Sequence, residues 1–493
     1  HGRYQPMDLE WAKDGETGEL FIVQARPETV HSSADKNVLR EYKLEKTSKV
    51  LALGIAVGAQ IGSGAVRILK SAKNIGEFQK GEVLVTEITD PDWEPIMKIA
   101  GAIVTDKGGR TSHAAIVSRE LGIPCIVGAG HATRVLKNGQ KVTVDASSGE
   151  TGHVYEGLLP FKVSEHRLDK IPELPVKIMV NMGSPEQAFK SHYLPVQGVG
   201  LGRLEFIIAS HIKIHPNALI DYDKLKKGKK TPYINKVLKE IDQVTYGYKD
   251  KTEFYTDELA LGIAKIAATF YPHDVIIRLS DFKTNEYRTL LGGELYEPME
   301  ENPMLGWRGA SRYYDPKFQR AFGLECKALK KVREDMGLTN VVPMVPFCRT
   351  PEEGERVVAE MKKNGLDRVT DATLKIYAMC EIPSNVILAD EFLKIFDGFS
   401  IGSNDLTQLT LGLDRDSGIV SHVANENDPA VKSLIADVIR KCKAQNKYIG
   451  ICGQAPSDYP EFAEFLLKEG IDSMSLNPDT VFKIIMALGQ KNG

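Results

Sequence analysis

From Val176 onward, short apolar runs alternate with longer stretches of mixed polarity. Eight β-type runs stand out: VKIMVN, GVGL, DVIIRL, NVVPMV, KIYAMC, GFSI, YIGIC and IDSMS. Seven stretches separate them, most long enough for a helix, and a further helical candidate, PDTVFKIIMALG, follows the last. Eight strands with intervening helices predict a (β/α)8 barrel over residues 176–493. The polar phrases GRLE, SDFK, EIPSN, GSNDLTQ and GQAPSD each follow the C-terminal end of one of these strands. A barrel gathers such ends on one face, where chemistry is sited.

Upstream the rhythm differs. Residues 48–160 are rich in Gly, Val, Ile and Ala, with short strand patterns in KGEVLVTE, AGAIVTDKG, IPCIVG and GQKVTVDASSGETGHVY. This predicts a smaller α/β or β-rich domain. Residues 1–32 predict a strand, a turn at Asp14-Gly15 and a second strand, Leu20 to Gln24. That hairpin is too short for a core of its own. With a start at HGRYQP and no initiator Met, it is expected to close a domain of a longer chain. Between the domains lie two charged segments, expected to be linkers. The first, 33–47, lacks Gly and Pro from Asp35 to Thr47 and predicts a helix; the second, 161–175, is punctuated by Pro.

Composition narrows the function without naming it. The 493 residues are too many for one core, and 42% apolar with 26% charged is an ordinary globular balance. A net charge of −3 gives no long-range pull on nucleic acid or an anionic membrane. The basic run KLKKGKK (Lys224 to Lys230) has no interleaved aromatic residues for base stacking and reads as a solvated loop. Neither nucleic acid nor membrane is expected as a partner. Six cysteines (Cys125, Cys326, Cys348, Cys380, Cys442, Cys452) form no CxxC pair, which argues against zinc or a disulfide framework and fits a reducing, cytoplasmic setting.

The most informative stretch is GGRTSHAAIVSR. A single loop histidine is usually structural, but His113 has unusual company. Gly108 and Gly109 permit close backbone approach, Thr111 and Ser112 offer small hydroxyls, and AAIVSRELG predicts a helix directly after it. A helix N-terminus favours an anion, and imidazole is a competent nucleophile at neutral pH.

This stretch resembles the phosphohistidine signature of the PEP-utilising enzymes, and DGFSIGSNDLTQLTLGLDR (Asp397 to Arg415) resembles the family's second signature. The resemblance runs over practically the whole chain. GRLEFII, VIIRLSDFKTNEY, GGELYEPMEENPMLGWRGASRY and GICGQAPSDYPEF are similar to the branch that makes phosphoenolpyruvate from pyruvate, ATP and water. In the other branches the cysteine loop usually has Glu where this chain has Gln454.

The resemblance implies phosphoryl transfer between a phosphohistidine, His113, and pyruvate or phosphoenolpyruvate, in PEP-forming, gluconeogenic metabolism. It implies Mg²⁺ held by Glu381 and Asp405, Arg203 and Arg278 on the substrate phosphate and carboxylate, and Gly402, Ser403 and Asn404 on the carboxylate. Cys452 would be the acid/base that exchanges a proton with the pyruvate methyl carbon. Arg308 and Arg415 are equally explained as surface salt-bridge residues. Glu10, Gln24 and Arg26 match the nucleotide and metal end of an ATP-grasp-type domain, and Thr111 a regulatory phosphorylation position. The phosphohistidine domain is expected to swing on its two linkers, and the barrel to support a dimer or larger homo-oligomer. Without the rest of the ATP domain, this chain is expected to run only the phosphohistidine/pyruvate half-reaction.

Overall fold

The computed structural model describes residues 7–27, 38–58, 60–109, 112–147, 151–167, 171–413 and 423–489. The chain divides into two compact units, residues 1–170 and 171–493.

In the first unit, β1 (Met7–Lys13) and β2 (Leu20–Pro27) pair antiparallel across the turn, with Glu10 opposite Gln24. Asp14 Oδ1 holds the turn by accepting from the backbone amides of Glu16 and Thr17. β3 (Val38–Leu44) is a strand, not the expected helix. It pairs antiparallel with β11 (Phe161–Arg167), which occupies the start of the second expected linker. The local charge pattern suits a helix, but each segment finds a partner more than a hundred residues away. Arg40 Nε donates to Glu165 Oε1 at 2.8 Å, and the rings of Tyr42 and Phe161 lie 6.2 Å apart.

Seven strands form a closed barrel in this unit: β4 (Val50–Val57), β5 (Ile61–Ile68), β6 (Val83–Thr86), β7 (Ala102–Thr105), β8 (Cys125–Val127), β9 (Lys141–Asp145) and β10 (Thr151–Glu156). β5 to β8 run parallel, and β9, β10 and β4 close the ring through antiparallel pairs. Alternation sorts the parallel strands' side chains into two cores. Val83, Val85, Ala102, Val104 and Ile126 join one; Leu84, Ile103, Cys125 and Val127 join the other, with Ala114, Ala115 and Val117 of a covering helix. Burial on both faces explains why these strands read as unbroken apolar runs.

The second unit contains the predicted (β/α)8 barrel. Its strands, in order around the ring, are β12 (Lys177–Met182), β13 (Val199–Arg203), β14 (Val275–Arg278), β15 (Val341–Val345), β16 (Tyr377–Cys380), β17 (Gly398–Ile401), β18 (Tyr448–Ile451) and β19 (Ser473–Leu476). All eight neighbouring pairs are parallel. The closing helix, Val481–Gly489, lies within PDTVFKIIMALG. Met179, Leu201, Ile276, Val342, Met344, Tyr377 and Met379 fill the ring, with Cys452 in the same cluster. Among the described residues, no helix is long and apolar enough to cross a membrane.

Candidate active site

His113 opens the helix His113–Leu121, in the loop that follows β7. Small residues make the position possible: Ala114 and Ala115 are buried against the sheet, so the helix start lies close upon it. Gly108 has φ +118°, and a Cβ there would come within 2.8 Å of Ser112 Oγ. The His113 ring is half-buried, and its Nδ1 lies 3.0 Å from Thr89 Oγ1. With Nδ1 protonated and donating to that hydroxyl, Nε2 carries the lone pair. Thr89, 24 residues away on another loop, was not legible beforehand. Thr111 lies outside the described residues.

In the second unit, the strand ends bring charged groups together. Arg278 ends β14, with Nη2 at 3.0 Å from Glu205 Oε1 and Nη1 at 3.7 Å from Asp281 Oδ2. Arg308 is 2% exposed and so not the surface residue allowed for in the sequence; it grips Asp281 with both prongs, Nε to Oδ1 at 3.0 Å and Nη2 to Oδ2 at 2.5 Å. The same Nη2 lies 3.7 Å from Asp405 Oδ2. Burial works to raise the Asp281 carboxyl, yet Arg308 and Arg278 outweigh it and hold the group below its ordinary range. Asp281 and Glu205 belong to polar phrases noted in the sequence. Their role as counter-ions of the arginines follows only from the fold.

Glu381, directly after β16, is completely buried, neither a surface acid nor a helix cap. Burial first, then the charges of Asp405 and Asp281, push its carboxyl up to about 8; Arg308 and Arg278 oppose the rise. Oε1 accepts from the Phe347 amide at 2.7 Å, whereas Oε2 is buried with no hydrogen-bond partner among the described residues. Gly402 leaves the room: a Cβ there would lie 2.7 Å from Oε2. A carboxylate held at one oxygen and open at the other, within the field of a second carboxylate, fits Mg²⁺. That ion takes one or two carboxylates and fills its remaining positions with water and substrate. Glu381 and Asp405 are the residues that would hold it. No group of three or more His, Cys, Asp or Glu side chains arranged for a metal exists among the described residues.

Ser403, Asn404 and Asp405 start the helix Ser403–Leu411 after β17. Ser403 Oγ hydrogen-bonds Glu426, and Asn404 Oδ1 accepts from the Gln454 amide at 3.3 Å. Gly453 is forced by this packing, since a Cβ would fall 1.7 Å from Ser403 Oγ. Cys452, next in the ring, donates weakly from Sγ to the Ile401 carbonyl at 3.6 Å. Burial pushes the thiol up to about 11, against the pull of a Ser400 hydrogen bond and of Arg278 and Arg203. Arg203 ends β13 beside a cavity of about 270 Å³ that it lines with Asn181, Gln187, Gln454 and Asn477. The fold thus brings Arg278, Arg308, Glu381, Gly402 to Asp405, Cys452 and Arg203 to one end of the ring. Arg415 lies outside the described residues. Glu10 and Gln24 are exposed on the hairpin of the first unit, where Arg26 is paired opposite Asp8.

Three known families match parts of the chain. Residues 166–492 match the PEP-utilising enzyme, PEP-binding domain; residues 78–149 the PEP-utilising enzyme, mobile domain; residues 2–46 the pyruvate phosphate dikinase, AMP/ATP-binding domain. The chain is 57% identical over 489 residues to a phosphoenolpyruvate synthase of Synechocystis sp., covering 99% of this chain and 59% of that protein. It is 54% identical over 531 residues to one from Aquifex aeolicus (99% and 62%) and 53% identical over 486 residues to one from Escherichia coli (99% and 60%). The chain therefore spans about three fifths of the length of these curated relatives.

Proposed function

This chain belongs to the PEP-utilising enzymes, and from that premise we propose that it transfers a phosphoryl group between His113 and pyruvate, with phosphoenolpyruvate as the other partner. The observation that carries this reading is Glu381: a buried carboxylate with one open oxygen, next to Asp405 and in the field of Arg308 and Arg278.

In the direction from phosphoenolpyruvate, the lone pair of His113 Nε2 attacks phosphorus. The bond from phosphorus to the enol oxygen breaks, and its electrons stay on that oxygen. Arg278 and Arg203, at strand ends, and Arg308, in the connection between β14 and β15, bear permanent positive charge and would bind phosphate and carboxylate oxygens. Mg²⁺ on Glu381 and Asp405 would supply charge stabilisation to substrate oxygens. Gly402, Ser403 and Asn404 would present amide and side-chain donors to the substrate carboxylate. The enolate then takes a proton at its methylene carbon from Cys452 Sγ, giving pyruvate. A thiol raised to about 11 stays protonated at neutral pH and is suited to that donation. The reverse sequence forms phosphoenolpyruvate.

Charging of His113 by ATP would draw on the AMP/ATP-binding domain, to which residues 2–46 match. The half-reaction is proposed as this polypeptide's own, so AMP formation from ATP and pyruvate by the same polypeptide would contradict that part. Self-association through the barrel belongs to the same reading, and sedimentation velocity tests it.

The decisive experiment incubates the polypeptide with Mg²⁺ and phosphoenolpyruvate and maps acid-labile phosphate by mass spectrometry. Label on His113 with stoichiometric pyruvate is expected. Bound Mg²⁺ and phosphoenolpyruvate without label would overturn the role of His113; no binding would overturn the barrel site.

A further inference from the structure

Phe347, two residues beyond β15, has φ +46°, a left-handed backbone that bulky side chains rarely adopt. Three contacts hold it there. Its amide donates to Glu381 Oε1 at 2.7 Å. Its ring lies under two guanidinium groups, with the Cζ of Arg308 4.1 Å and that of Arg349 4.8 Å from the ring centre. The loop bearing Arg308 closes over it: Ala310 N donates to the Pro346 carbonyl at 3.0 Å, and Gly309 passes so near that a Cβ would meet Phe347 Cβ at 2.7 Å. Arg349 ties the same loop down by donating to the Gly306 carbonyl at 2.6 Å.

One strained residue therefore touches both halves of the candidate site. Its amide fixes one oxygen of Glu381, which leaves the other oxygen unpartnered. Its ring supports Arg308, whose fork holds Asp281. We propose that Phe347 is a positioning residue that couples the metal-binding carboxylate Glu381 to the phosphate-binding Arg308, its left-handed backbone aiming the amide and its ring seating the guanidinium. The proposal rests on the phosphoryl-transfer reading given above. A phenylalanine kept at positive φ needs compensation from its surroundings, and the cation–π contacts with Arg308 and Arg349 supply it. Without the ring, an ordinary L-residue gains by relaxing to negative φ and turning its amide away from Glu381. Glycine alone keeps the left-handed backbone without the ring.

These two roles separate by substitution. Mn²⁺ affinity, measured by calorimetry on the whole polypeptide, reports on Glu381 without turnover; the KM for phosphoenolpyruvate in His113 labelling reports on Arg308. Phe347→Ala is expected to weaken Mn²⁺ binding by about tenfold, as loss of a ligand's supporting contact does, and to raise the KM. Phe347→Gly is expected to hold Mn²⁺ near the native level while still raising the KM, and Phe347→Tyr to restore both. Equal Mn²⁺ losses in Phe347→Ala and Phe347→Gly, or native values of both quantities in Phe347→Ala, would overturn the coupling. A native protein that neither binds Mn²⁺ nor labels His113 would instead overturn the phosphoryl-transfer reading, and the proposal with it.

Discussion

The two barrels carry their chemistry in opposite ways. In the seven-stranded barrel, one half-buried histidine opens a helix, with the Thr89 hydroxyl 3.0 Å from its Nδ1. In the eight-stranded barrel, Arg308, Glu381, Asp405 and Cys452 are buried and set among charges: Arg308 against Asp281, Glu381 in the field of Asp405, and Cys452 in the field of Glu381, Arg278 and Arg203. The phosphoryl carrier proposed for His113 has to be reachable. The enolate stabilisation and proton transfer to carbon proposed for the other site benefit from desolvated, fixed charges. The contrast is one of burial and partners, since both reactive groups stand on loops after strand ends.

The largest expected effect tests that division directly. His113→Ala should abolish labelling from phosphoenolpyruvate yet leave Mn²⁺ and phosphoenolpyruvate binding intact by calorimetry; loss of binding would mean the two sites are not separable. Cys452→Ala should reverse the pattern. Exchange of the pyruvate methyl protons with deuterium, followed by proton NMR, should slow by about 10²–10⁴-fold, while His113 still accepts label. Next comes Gly402→Ala, whose added Cβ crowds Glu381 Oε2. Mn²⁺ affinity should fall by about 10–100-fold with the fold intact by circular dichroism.

A smaller effect tests the burden of buried charge. Glu325 is fully buried, hydrogen-bonded to the Ser280 amide and hydroxyl, and burial raises its carboxyl from 4.5 to about 7. The folded barrel holds that proton between pH 4.5 and 7, whereas the unfolded chain releases it. Its contribution to stability is therefore complete below about 4.5 and lost as pH rises to about 7, by about 3–4 kcal/mol at most. Thermal melts should show Glu325→Gln gaining on the native protein between pH 5 and pH 8; parallel curves would refute it. Least of all, Arg40→Ala on the exposed ribbon of the first unit should leave the melting temperature unchanged, since its partner Glu165 is also exposed.

Much of this was legible in the residues. The eight apolar runs have no shorter reading than a ring of strands, because each is too brief for a helix and most are followed by a helix-length stretch. His113, Glu381, Asp405 and Cys452 stood out because motifs surround them at fixed local spacing. What remained hidden depends on contacts between distant segments. Residues 38–44 carry a charge pattern that suits a helix, yet become a strand because 161–167 pairs with them. Thr89 meets His113, Asp281 neutralises Arg308, and Phe347 takes a left-handed backbone only because other loops close around it. Local order along the chain sets periodicity and motif. Which buried charge finds which counter-charge, and which strain is compensated, is settled only when the ring closes and removes the water that would otherwise serve every polar group alike.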